Sequence, residues 1–162
     1  MRRIMDSGNF YQYRERETQF RMQLSRFDGR VLRDVLLQIV EPEVNVVVLV
    51  FEDAVFSVQG QIGGELLKVV EAPPPSTESL GPNAWYQPFE PAIQFRGKAV
   101  AQVRAVGEAW NGHGLEISFA DCPRHTLIIT SIDSRGAPEA FRDCLKVGVA
   151  EYTYEYRRDP QP

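Results

Sequence analysis

A chain of 162 residues, 43% hydrophobic and 25% charged with a net charge of −4, has the make-up of a globular protein with enough interior to need no disulfide or metal staple. Its longest apolar run, Val46 to Phe51, falls far short of the ~20 residues a membrane-spanning helix requires, so a membrane partner is set aside. The start, Met1-Arg2-Arg3-Ile4-Met5, lacks the apolar centre of a secretory signal, and the two cysteines, Cys122 and Cys144, make no disulfide framework, so a cytoplasmic setting is expected.

Charge is uneven. Residues 1–34 carry eight arginines against five acids, and the remainder ten bases against seventeen acids. Arginine contacts to phosphate carry much of nonspecific nucleic-acid affinity. Here Asp6, Glu15, Glu17, Asp28 and Asp34 interrupt the basic stretch and the pI is 5.3, so a solvated, salt-bridged surface is the better reading and nucleic acid is disfavoured. Arginine outnumbers lysine fifteen to three, a bias that fits a GC-rich bacterial genome rather than a chemistry.

The first nine residues read as a frayed end, followed by a short helix to about Glu17 on the spacing of Phe10 and Tyr13. From Thr18 the alternation of Phe20, Met22 and Leu24 with polar neighbours predicts a half-buried strand. A helical template through Phe20, Leu24 and Phe27 competes with it.

From Phe27 onward one pattern occurs twice. Residues 27–53 align without a gap on residues 95–121, an offset of 68, with identities at Phe27/Phe95, Gly29/Gly97, Val35/Val103, Phe51/Phe119 and Asp53/Asp121. Internal repeats govern the whole fold and are read first. In each copy a glycine turn leads into a strand (30–38 and 98–107), then a second strand (44–51 and 114–119), an Asp turn, and a returning strand (55–59 and 126–132). Residues 44–51 are the firmest strand, rich in the β-branched residues that suit a buried pleat. Cys122 to Arg124 reads as a longer turn where the first copy has Ala54. The fold expected is mainly β, with α+β as the alternative: two three-stranded antiparallel meanders, about 19–71 and 87–132, forming a sandwich or a partly open barrel in a single domain over 1–162.

Between the copies, residues 72–86 form a Pro/Ser/Gly-rich loop that ends in Trp85-Tyr86-Gln87-Pro88-Phe89. After the second copy, Pro138 opens a short helix over about 137–146, and Tyr152, Tyr154 and Tyr156, alternating with charges, read as a final strand over 149–157.

Chemistry-bearing residues are few. His113, Cys122, His125 and Cys144 include the only histidines and cysteines. Zinc accepts such ligands, but only one tight pair is present where a finger or ribbon needs two, so no metal is expected. A Cys–His nucleophile pair needs a thiolate stabilised by a cation or a helix N-terminus. Asp121 precedes Cys122 and Cys144 lies late in its expected helix, so neither thiol is favoured. Glu52, Asp53 and Asp121 read as turn residues, which bond their own backbone, and Gly60 to Gly64 lacks the partners of a phosphate loop. No cofactor and no catalytic residue is assigned. Trp85, Tyr86 and Phe89 are the candidate protein-binding residues, because aromatics anchor interfaces; the competing reading is that they fold back and cap the core. The function expected is that of a non-enzymatic cytoplasmic bacterial binding protein with a protein partner, of adaptor or immunity type. A small metal- or Cys/His-dependent enzyme and a structural subunit of an assembly are the alternatives, and a homodimer is left open.

Overall fold

The computed structural model describes residues 15, 18, 20–40, 43–61, 66–74, 86–106, 114–131 and 144–151. It is a mainly β fold in which a continuous antiparallel sheet curls into a half-barrel. The strands are β1 (Leu32–Val40), β2 (Glu43–Phe51), β3 (Val55–Gln61), β4 (Leu66–Glu71), β5 (Gln87–Pro88), β6 (Val100–Val106), β7 (Gly114–Phe119), β8 (Cys122–Ser131) and β9 (Leu145–Glu151), with a 3-10 helix over Glu90–Phe95 before β6.

Two antiparallel runs make up the sheet. β1, β2, β3 and β4 pair in succession, and so do β6, β7, β8 and β9. Among the described residues each run therefore holds four strands, not the three expected, because Leu66–Glu71 and Leu145–Glu151 each add one. In β4 the periodicity is short but real: Leu67 and Val69 are buried, whereas Lys68 and Val70 face outward.

Among the described residues, backbone pairing joins the two runs at two places. Val44 of β2 pairs with Leu145 of β9. The second junction is a crossing where Val31 bridges Ala99. Around it, Gly29 N–H donates to Val100 O (3.0 Å) and Gly97 N–H to Leu32 O (2.8 Å), while Leu32 N–H donates to Lys98 O (3.0 Å) and Val100 N–H to Arg30 O (2.9 Å). These bonds are reciprocal, since adding 68 to each residue of the first half gives its counterpart in the second. Gly29 and Gly97 both have φ of 76°, a conformation glycine adopts without a Cβ penalty. The same offset relates Glu52 N–H donating to Val31 O and Ala120 N–H donating to Ala99 O. It also relates the register shifts in β1 between Leu32 and Asp34 and in β6 between Val100 and Gln102.

The core inside the curl gathers apolar residues from both runs. Phe27 lies 4.9 Å from Phe56 and 5.5 Å from Phe51 between ring centroids, and Phe95 stacks on Phe119 at 4.6 Å. Such offset and edge-on arrangements are the ones aromatic quadrupoles favour.

Four local expectations are corrected. Residues 20–25 are helical, as are Glu15 and Thr18, so the strand expected from Thr18 is absent. The 3-4 spacing wins because it buries Phe20, Leu24 and Phe27 together and leaves Met22 65% exposed, where a strand would have buried Met22 beside Phe20. The helix expected over 137–146 does not reach its end: Leu145 and Lys146 already belong to β9, held by β8 through Ser131 and Thr130, while 137–143 lie outside the described residues. The last strand starts at Leu145 rather than 149, and the residues beyond Glu151 lie outside the described ones. Finally, the longer turn expected at Cys122–Arg124 is a tight turn at Ala120-Asp121 followed by a bulge. Phe119 pairs with Cys122 and Ser118 with Thr126, so Pro123, Arg124 and His125 are extra on β8. In the first run Ala54 and Val55 occupy those paired places with nothing between them.

Candidate interaction surface

Residues 87–89 run along the outer edge of β1. Pro88 pairs with Leu36 and Gln87 with Leu37, and Phe89 N–H donates to Val35 O at 2.8 Å. Two paired residues make β5 a minimal strand, and Pro88 is tolerated because β5 sits at an edge. The 3-10 helix comes next, with proline in its first turn, the place where a missing N–H costs nothing.

This arrangement puts two of the three expected binding residues, Tyr86 and Phe89, on different faces of the sheet. Phe89 is half-buried and packs against the main core, so it anchors the segment. Tyr86 is half-buried on the other side of the sheet, against Leu36, Val48 and Val55. Trp85 lies outside the described residues. The segment presents Pro88, Pro91 and Ile93 outward, the last 47% exposed, while Ala92 and Phe95 are buried beneath. Ile93 is not among the residues expected from sequence, although Pro91 with the Ala92/Phe95 spacing after it is a helix-start signal that places it outward.

The outer face of the sheet differs between the two runs. In the first, Leu36, Val48 and Val55 are buried at 2%, 4% and 6% exposure, with Val46, Val50, Ala72 and Tyr86 packed beside them. The corresponding places in the second are Arg104, Glu116 and Thr126, matched by the pairings Leu36 with Val48 and Arg104 with Glu116. There Arg104 Nε donates to Glu116 Oε1 at 2.7 Å and Thr126 Oγ1 to Glu116 Oε2 at 3.3 Å, with Glu116 only 1% exposed. A buried carboxylate is tolerated only when paired and hydrogen-bonded. The same three sites are thus greasy on one side and ionic on the other.

Other charged groups near the junction are held in pairs. Arg30 meets Asp53 at 2.8 Å, Arg96 meets Asp34 at 3.0 Å, and Arg26 pairs with Glu71. Lys98, the counterpart of Arg30, donates to the carbonyl of Asp121 at 2.9 Å. Asp53 therefore holds Arg30, and Asp121 sits at φ 59° in its turn, where aspartate is one of the few tolerated residues.

Cys122 and His125 stand at one end of the β8–β9 ladder and Cys144 at the other. His125 pairs with Glu151, whereas Ser131 pairs with Leu145, and six residues of strand span about 20 Å. Cys144 is fully buried, with Asn45 Nδ2 3.9 Å from its sulfur; His113 lies outside the described residues. Among the described residues no three His, Cys, Asp or Glu side chains are grouped to hold a metal ion, and no helix is long and apolar enough to cross a membrane. Comparison with protein-family models, curated proteins and solved structures finds no match.

Proposed function

We propose that this chain is a non-enzymatic binding protein of the bacterial cytoplasm that engages another protein, as an adaptor or immunity-type factor, through the segment from Tyr86 to Ile93. The observation that carries this reading is the way the segment is built. Its backbone is pinned to β1 and its Phe89 ring to the core, while Pro88, Pro91 and Ile93 face solvent. An apolar surface whose backbone is already ordered loses little conformational freedom on binding, and this favours affinity. The length of the β8–β9 ladder between His125 and Leu145 speaks against one site that uses both Cys122 and Cys144. We include in the proposal that the two runs descend from one duplicated unit within a single domain, supported by the hydrogen bonds that recur at an offset of 68.

The test is comparative affinity capture from the native host with the wild-type chain and Ile93→Glu, followed by binding of the purified candidate. Ile93 is 47% exposed, so the variant should keep the wild-type melting temperature. It should weaken binding at least about tenfold, as loss of an apolar anchor does. Equal binding by both proteins would rule this segment out.

A further inference from the structure

A second edge of the sheet is built like the one that β5 covers. In the first run, Val35 pairs with Leu49 on β2 and turns its polar groups the other way: its N–H meets Asp34 Oδ1 at 2.9 Å and its C=O accepts from Phe89 N–H at 2.8 Å. Val103 holds the same place in the second run, paired with Ile117 on β7, and alternation along an antiparallel ladder turns its N–H and C=O outward as well. Over Val100–Val106 the described residues give β6 one partner strand, β7.

Burial shows the consequence. Val35 is 0% and Leu37 8% exposed beneath β5 and the 3-10 helix. Val103 and Ala105, their counterparts, are core-facing yet only partly buried. The second run thus has the edge and the apolar seats that the first run fills with Gln87-Pro88-Phe89.

We propose that the outer edge of β6 is a strand-addition site, where an extended segment of a protein partner pairs antiparallel along Val103 to Ala105 and seats an apolar or aromatic side chain over them. The proposal rests on the reading of the chain as a protein-binding module and adds a second contact, distinct from the Tyr86–Ile93 segment. Main-chain hydrogen bonds supply the attachment in such complexes and side-chain pockets the selectivity. The chain's own β5 defines the preferred occupant: short, extended and carrying an aromatic residue just beyond the two paired residues.

The probe is a synthetic peptide with the sequence of residues 84–91, Ala-Trp-Tyr-Gln-Pro-Phe-Glu-Pro, added to isotope-labelled full-length protein and followed by NMR and amide exchange. In the free protein the Val103 and Ala105 amides should exchange fast. With peptide at about 1 mM, a concentration suited to a weak strand contact, they should slow at least about tenfold and shifts should concentrate on β6. A peptide methylated on the backbone nitrogen of its Phe, or carrying Ala in place of that Phe, should lose the effect, and neither control depends on a variant protein folding. Slow exchange of both amides in the free protein would show the edge to be already covered and would overturn the proposal. So would an absence of shifts on β6, or shifts confined to residues 86–93. Those failures leave the Ile93→Glu comparison intact, whereas failure of the wild-type chain to bind any protein partner would remove the broader reading.

Discussion

Gly29 and Gly97 share φ of 76°, and nothing lies within 4 Å of where a Cβ would stand on either. Their role is conformational, and replacing either by alanine should cost about 1–2 kcal/mol through the left-handed backbone alone. Gly114 is different: its φ is ordinary, but a Cβ there would come within 2.7 Å of Thr130 Cγ2 and 2.9 Å of the Ile129 carbonyl. The carbonyl belongs to a ladder that cannot yield without breaking pairs, so Gly114→Ala is expected to exceed both of the others, at about 2–3 kcal/mol. Urea midpoints for the three variants check the order, and an equal or smaller loss at Gly114 would contradict it. The turn glycines are readable from sequence because a Gly at a break between periodic segments has a backbone reason. Gly114 is not, since the crowding comes from β8, fifteen residues away along the chain. Ile93 is hidden for a related reason: its exposure depends on Phe89 and Phe95 both being packed inward on either side of it.

The strands with dense β-branched residues are legible, and β2 lies within one residue of its expected bounds. Two kinds of element are not. Residues 20–25 satisfy both a period of two and the 3-4 spacing, and only burial of Phe20, Leu24 and Phe27 on one face decides between them. β9 contains Lys146 and Gly148, which weaken its strand signal, and its place is set by the long ladder with β8 rather than by propensity. The offset of 68 sets Arg104 against Leu36 and Glu116 against Val48, but the burial of these sites and the match of Val55 with Thr126 emerge only once the pairing registers are known. The contrast between the two sets makes a sharp expectation. Val48→Glu puts a carboxylate on a site 4% exposed beside Leu36, and an unpartnered buried charge should cost about 3 kcal/mol or more. Adding Leu36→Arg recreates the ion pair of the second run and should recover part of the loss. Chemical denaturation of the two variants measures both steps, and a double variant no more stable than Val48→Glu would show that the ionic arrangement does not transfer.

Across the protein as a whole, both junctions tie one run to the other: Val31 with Ala99, and Val44 with Leu145. The apolar core draws on both runs, from Phe20 to Leu145. With the main core shared in this way, unfolding should occur in a single cooperative transition. A chain cut between Leu80 and Gly81, in the Pro-rich span, should give halves that are each unordered by circular dichroism and that recover the β spectrum when mixed. A half that folds alone would show the runs to be separate domains. The mainly β class and the open curl are readable because alternating apolar residues and turn signals recur along the chain. The count of strands is legible only in part: a last strand is expected but placed too late, at 149, and Leu66–Glu71 has only a short alternation to signal it.

The bulge at Pro123, Arg124 and His125 carries one more consequence. Beside the first run, β8 holds three additional residues just after its turn, yet from Thr126 onward its ladder to β7 is regular. Chain length at that hairpin is uncoupled from register. A designer seeking a port for an epitope, a fluorophore sequence or a grafted loop would therefore open the chain between Pro123 and His125, where added sequence leaves the rest of the sheet in step.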